Sequence, residues 1–176
     1  MVVPIWAEST FKGSIDLLTR KAYIWRGEEL GAAFDVTDDI PADLKDEVEK
    51  SRAALIERIA ETDDKLLEKY LNGEELSVDE LKASLRKATI AYKLVPIYCG
   101  TSLRNKGVQP LLDAVIDYLP SPVDLGKIRG EDPNVAFDPE NPDANKIERK
   151  LTPEEPFCGL AFKIQTDPHV GRLTYV

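Results

Sequence analysis

The stretch LVPIYCG-TSLRNKG-VQPLLDAVIDYLP, residues 94 to 120, constrains the fold more than any other part of this sequence. A run of buried-strand character ends in Gly100, and a polar turn follows. Val108 then opens a run in which Val108, Leu111, Leu112, Val115 and Leu119 recur at helical spacing. Strand, glycine turn and helix make one half of an α/β unit, which must lie against other elements to bury its apolar residues. The expectation is a strand over 94 to 100 and a helix whose Val/Leu stripe, Val108 included, faces inward.

Upstream, FKGSIDL alternates Phe11, Gly13, Ile15 and Leu17 on one face, and KAYIW is a second strand. Residues 26 to 40 read as a charged connection carrying Gly27 and Gly31. Pro41 suits a first helical turn, and Asp43, Asp46 and Glu47 suit the positive end of a helix dipole. Leu44, Val48, Leu55, Ile56 and Ile59 form that helix's apolar stripe. A second helix, DDKLLEKYL, stops at Asn72-Gly73, a pair suited to a left-handed cap. Ser77-Val78-Asp79-Glu80 is a capping box opening a third helix, with a stripe of Leu81, Leu85, Ala88 and Tyr92.

Beyond Pro120 the character changes. Residues 120 to 156 hold seven of the 12 prolines and read as an extended linker or exposed loop. FCGLAFKIQTDPHVGRLTYV carries two strand runs around TDPHVG, a hairpin pattern. A lone two-stranded hairpin is marginal in water, so it reads as the start of an all-β domain.

No run of eighteen apolar residues exists to span a membrane, and MVVPIWAEST lacks the basic start and apolar stretch of a signal peptide. A cytosolic location is expected by default. Cys99 and Cys158 are expected to be reduced, small and apolar in behaviour. The net charge of −9 argues against direct nucleic-acid binding. Between Glu28 and Glu49 stand nine carboxylates and one lysine, Lys45. Such a region is either a solvated surface or a docking face for a basic partner.

Asn105-Lys106-Gly107-Val108 nearly spells NKxD, the guanine-reading signature, in which the Asp carboxylate accepts from two guanine N–H groups. Val108 cannot accept a hydrogen bond, so a turn using Asn and Gly for unusual backbone angles is the better reading. The only Gly-Lys pair, Gly126-Lys127, fails as a phosphate cradle: Ser121 replaces its first glycine and Ile128 its Ser/Thr. The single histidine, His169, has Asp167 nearby but no positioned nucleophile, and Cys158 is expected to pack in a core. Two distant cysteines and one histidine give no zinc-ligand spacing. Asp63-Asp64 and Asp38-Asp39 are expected to cap helices rather than do acid–base work.

The run YCGTSLRNKGVQPLLDAVIDYLPSP nevertheless resembles the end of the GTPase domain of translation elongation factor G, where CGSAxxNKGVQxLLDAVxxYLPSP is usual. FKGSIDLLTRKAYIW, DDIPADL, ETDDKLLEKYLNGEEL and EEPFCGLAFKIQTDPHVGRLTYV are similar to other family segments in the same order. The resemblance covers nearly the whole chain apart from the loop at 126 to 150.

The resemblance implies an α/β fragment. Residues 1 to 93 would be an inserted α+β subdomain, a small sheet with three helices, called G-prime in the family. Residues 94 to 122 would be the last strand and helix of a P-loop GTPase domain, 123 to 155 a linker, and 156 to 176 the first hairpin of a β-barrel domain. It also implies a base-binding turn at Thr101, Ser102 and Leu103, in which the backbone N–H of Ser102 would donate to the guanine carbonyl oxygen. Ser102 stands where the family usually has alanine. GTP and Mg²⁺ would bind the full-length parent but not this chain tightly, because phosphate loop, switch segments and NKxD lie outside it. The implied partners are the ribosome, through the stalk protein's C-terminal domain and the stalk base, and the rest of the GTPase domain. No membrane and no sequence-specific nucleic acid is expected. The competing readings are a catalytically inert acidic interaction module and a fragment of a related ribosomal protection GTPase.

Overall fold

Alternating residues in the first forty positions build an antiparallel sheet in the order β1 (Val2–Ile5), β2 (Gly13–Asp16), β3 (Ala22–Trp25) and β4 (Phe34–Thr37). The structure, a computed structural model, describes residues 1–26 and 31–176. It is a mixed α/β chain with small antiparallel sheets, divided into the units Met1–Leu119 and Pro120–Val176.

In the sheet, Ile15 faces Val3 on one side and Ala22 on the other, and all three are buried, as the period of two requires. Gly13 is where strands crowd: a Cβ there would sit 1.9 Å from the Tyr23 carbonyl oxygen. β4 lies where the sequence suggested only a charged connection. Its Phe34 packs 5.3 Å from the Trp25 ring and 6.0 Å from Tyr23, so aromatic pairing makes a strand of a short, acid-flanked stretch. Gly27, Glu28, Glu29 and Leu30 of that stretch lie outside the described residues.

One face of the sheet meets α1 (Lys45–Ala60), burying Val3, Ile5, Ile15, Leu17, Ala22 and Val48 together. Pro41 precedes a 3₁₀ turn, Ala42–Leu44, that leads into α1. Arg52 of α1 donates to the carbonyls of Leu17 and Leu18, tying the helix to the end of β2. The far end of α1 joins α2 (Asp64–Leu71), α3 (Val78–Ile90) and α4 (Val108–Tyr118) around Ile59, Leu66, Leu81, Leu85 and Tyr118.

Helix ends follow the local chemistry. Asp63 caps α2 by accepting from the N–H groups of Lys65 and Leu66, at 3.1 and 3.3 Å. Both halves of the Ser77/Glu80 capping box are formed. At the end of α2 the N–H of Gly73 donates to Tyr70 and that of Glu74 to Lys69, with Gly73 at φ +72°. The end of α3 repeats this pattern, from Tyr92 to Thr89 and from Lys93 to Ala88, but the left-handed residue is Tyr92, at φ 57°. Tyr92 is therefore outside the stripe expected for it; it is 94% exposed, beyond the helix end.

Two expectations about the third α/β segment are corrected. The strand expected over residues 94–100 is not formed among those described. Leu94 and Tyr98 turn inward while Val95 and Ile97 are 78% and 73% exposed, so the alternation of a strand is present without a neighbouring strand to complete its ladder. In α4 it is Ala114 and Tyr118 that are buried against α3. Leu111, Leu112, Val115 and Leu119, expected inward, are exposed, and Val108 is half-buried. The stripe is real, but among the described residues of this unit nothing covers most of it.

The second unit contains more structure than a linker. A short helix α5 (Pro122–Leu125), with a Ser121/Asp124 capping box, precedes the antiparallel pair β5 (Lys127–Glu131) and β6 (Lys146–Lys150). A second pair, β7 (Lys163–Asp167) and β8 (Gly171–Tyr175), is the hairpin read from TDPHVG. Cys158 lies before β7 and is exposed, not in a core, because the second unit has little to bury it against.

Candidate functional site

The turn at 101–107 is closed by its own backbone. Thr101 N–H donates to the Lys106 carbonyl at 2.9 Å and Lys106 N–H returns to the Thr101 carbonyl at 3.1 Å. Between them Ser102–Arg104 form one 3₁₀ turn, ended by Asn105 in the left-handed region at φ 51°. Gly107, at φ +87°, approaches the preceding strand-like segment so closely that a Cβ would meet the Cys99 carbonyl oxygen at 3.0 Å. Asn105 and Gly107 thus serve backbone geometry, as the turn reading requires. Val108 opens α4, with no acceptor to offer a base.

The sequence-predicted residues Thr101, Ser102 and Leu103 stand together here. A cavity of about 200 Å³ adjoins the turn, lined by Tyr98, Thr101, Ser102, Lys106, Val108 and Leu111 among others. Ser102 and Leu103 are exposed, and the first N–H groups of a helical turn have no acceptor within it. The cavity is lined mainly by apolar surface, with Ser102 and Lys106 on its border. Lys127, of the Gly-Lys pair, lies on β5 and its ammonium contacts Glu148 at 2.6 Å.

Behind the turn lies a smaller polar cavity of about 90 Å³, bordered by Asp16, Lys82, Tyr98, Asp113, Asp117 and Tyr118. Burial raises the Tyr98 phenol well above its ordinary value and pushes Tyr118 up to about 12. Lys82 donates to Asp117 at 2.8 Å, and Arg86 donates to the last carbonyls of α4, those of Ile116 and Asp117. A cation at a helix C-terminus is favourably placed. These groups are occupied with one another and read as the structural base of the turn.

The acidic segment is a surface. Asp38, Asp39, Asp43, Asp46, Glu47 and Glu49 are all exposed around the start of α1. Glu49 pairs with Arg20, and both border an open cleft with Asp38, Asp39 and Lys45. Asp38-Asp39 caps no helix; Asp39 donates its N–H to Thr37 Oγ1. His169 sits in the β7–β8 turn, where Asp167 accepts from the N–H groups of His169 and Val170 at 2.8 and 3.0 Å. Those bonds hold the Asp167 carboxyl below its usual range and make it a turn residue, not a member of a dyad. What sequence reasoning did not reveal is a side-chain link from Gln109 to Gly31, 78 positions away. No local pattern signals a contact of that span.

Among the described residues no helix is long and apolar enough to cross a membrane. No protein-family profile matches the chain. A solved crystal structure of a protein from Thermus thermophilus is similar to it, with a TM-score of 0.66 and 26% sequence identity over 98% of this chain. The chain spans only 22% of the length of that protein. It is thus a mixed α/β chain similar to part of a considerably larger bacterial protein.

Proposed function

We propose that this chain is a fragment of a ribosomal translocase GTPase of the elongation factor G type, in which the full-length protein couples GTP hydrolysis to tRNA–mRNA translocation. In this proposal residues 1–93 are the inserted G-prime subdomain, 94–122 the last strand and helix of the GTPase domain, and 156–176 the opening of a β-barrel domain. Thr101, Ser102 and Leu103 contribute the guanine-base turn, and the inserted subdomain, with its exposed charged surface, contributes contacts to the ribosomal stalk protein and the stalk base.

The observation that carries the proposal is the uncovered apolar side of the third segment. Val95, Ile97, Leu111, Leu112, Val115 and Ile116 all face outward, beside the base turn. Residues 94–98 have the alternation of a strand without its ladder. Exposed apolar residues clustered on such elements mark an interaction surface, and the remaining strands of a GTPase domain would cover them. The likeness to part of a much longer protein supports the same view.

The test is binding of the purified stalk protein C-terminal domain to the immobilised chain at two salt concentrations. Binding that weakens with salt is expected, because exposed charges are screened. Absence of binding at low salt would overturn the stalk role. A GTP titration accompanies it: affinity tighter than millimolar would sink the proposal that phosphate-binding parts lie outside this chain.

A further inference from the structure

Gln109, the second residue of α4, donates from Nε2 to the Gly31 carbonyl at 2.8 Å. Gln109 Oε1 has no partner among the described residues, so the Gly31 bond is what orients the amide. Gly31 is itself buried, with φ +71°. A Cβ at Gly31 would lie 2.1 Å from the Asn105 carbonyl oxygen and 2.6 Å from its carbon. The chain leading into β4 therefore touches the left-handed residue of the turn backbone to backbone, an approach only glycine permits. A hydrogen bond and a close approach, on different atoms, converge on the same three residues.

We infer that Gln109 and Gly31 are positioning residues for the 101–106 turn, tying its placement to the segment that leads into the acidic face. The ligand of that turn, a guanine base, rests on the function proposed above; the tie itself is a property of this chain alone. Gln109 reaches Gly31 from the first turn of α4, and Gly31 reaches Asn105, which follows Ser102–Arg104. A displacement of the segment ahead of β4 would thus be felt at the Ser102 and Leu103 N–H groups.

Amide hydrogen exchange of the chain, followed by NMR, tests this. Gln109→Leu is expected to speed exchange at Thr101 and Lys106, whose N–H groups close the turn, by roughly five- to ten-fold, the worth of about one hydrogen bond. Gln109→Glu, which has no N–H to donate, should do the same, and Gln109→Lys, which does, should restore protection. Leu81 and Leu85 in α3 should be unaffected. Unchanged exchange at Thr101 and Lys106, or equal acceleration in α3, would overturn the inference. A parallel titration with GMP, against 2-aminopurine riboside monophosphate, which lacks the guanine carbonyl oxygen, addresses the ligand. A GMP-specific shift at Ser102 that weakens several-fold in Gln109→Leu supports both. No shift in the unaltered chain removes the guanine role, while the exchange result still decides the positioning role.

Discussion

The ammonium of Lys82 lies 2.8 Å from the Asp117 carboxylate, joining α3 to α4 over 35 positions of sequence. Each side chain remains 39% exposed. An exposed pair of this kind contributes about 0–1 kcal/mol. The hydrogen bond to Asp117 raises the Lys82 pKa, and burial pushes the neighbouring Tyr118 up to about 12. A group whose folded pKa is raised stabilises fully below its unfolded pKa, about 10 for tyrosine, and loses that contribution as pH climbs through the folded value. Stability measured by urea unfolding should therefore hold near neutrality and fall between roughly pH 10 and about 12. Tyr118→Phe should flatten part of that fall, leaving the share due to Tyr98 and Lys82. An unaltered alkaline slope in Tyr118→Phe would contradict this account.

The capping box at the start of α3 gives an acid-side counterpart. Ser77→Ala should lower stability by about 1 kcal/mol, through lost satisfaction of the Glu80 N–H. Glu80, hydrogen-bonded first to Lys69 and then to Ser77, has its pKa lowered from 4.5 to about 2. A lowered carboxylate stabilises above its unfolded pKa and loses that contribution as pH falls through the folded value. The loss of stability between pH 4.5 and about 2 should be shallower in Glu80→Gln than in the parent. Acid titrations followed by circular dichroism would show the difference.

Tyr92 occupies the left-handed cap position of α3 with almost no contact to lose. The left-handed region disfavours a residue bearing a Cβ by about 1–2 kcal/mol, partly offset by the greater unfolded-state freedom of glycine. Tyr92→Gly should therefore raise stability by ~0.5–1 kcal/mol. A lower melting temperature in this variant would show that the Tyr92 ring has a role beyond the cap.

The outer face of α4 should be separable from stability. Leu112→Gln and Ile116→Gln replace exposed residues and should change unfolding free energy by no more than ~0.5 kcal/mol. Both should reduce binding of an apolar dye and any self-association seen by sedimentation. Ala114, on the buried side, should behave oppositely: Ala114→Leu overpacks the contact with α3 and should destabilise by ~1–3 kcal/mol.

Local chemistry was readable wherever a feature is complete within a few residues. Asp63, the Ser77/Glu80 box and the Asn72-Gly73 stop depend on groups within five positions of one another, and all three formed as expected. β4 was obscured because its pairing energy comes from Trp25 and Tyr23 across the sheet rather than from its own four residues. Gln109 carries no local signal of its role, since its acceptor belongs to a distant segment. The turn at 101–107 was legible as a turn, while the adjoining cavity depends on Tyr98 and Leu111 closing around it.

Residue order alone dictates where α2 and α3 start and where α2 stops, which positions alternate, and that Asn105 and Gly107 bend the chain ahead of α4. Those outcomes rest on backbone dihedrals and hydrogen bonds a few residues apart. Which apolar face each element buries is settled by packing between distant segments. Periodicity identifies a greasy side, but burial depends on what stands opposite it. For α1 and α3 that partner lies within this chain. For the stripe of α4 no described residue of its unit does so: α4 rests on α3 through Ala114 and Tyr118 and leaves Leu111, Leu112 and Val115 exposed.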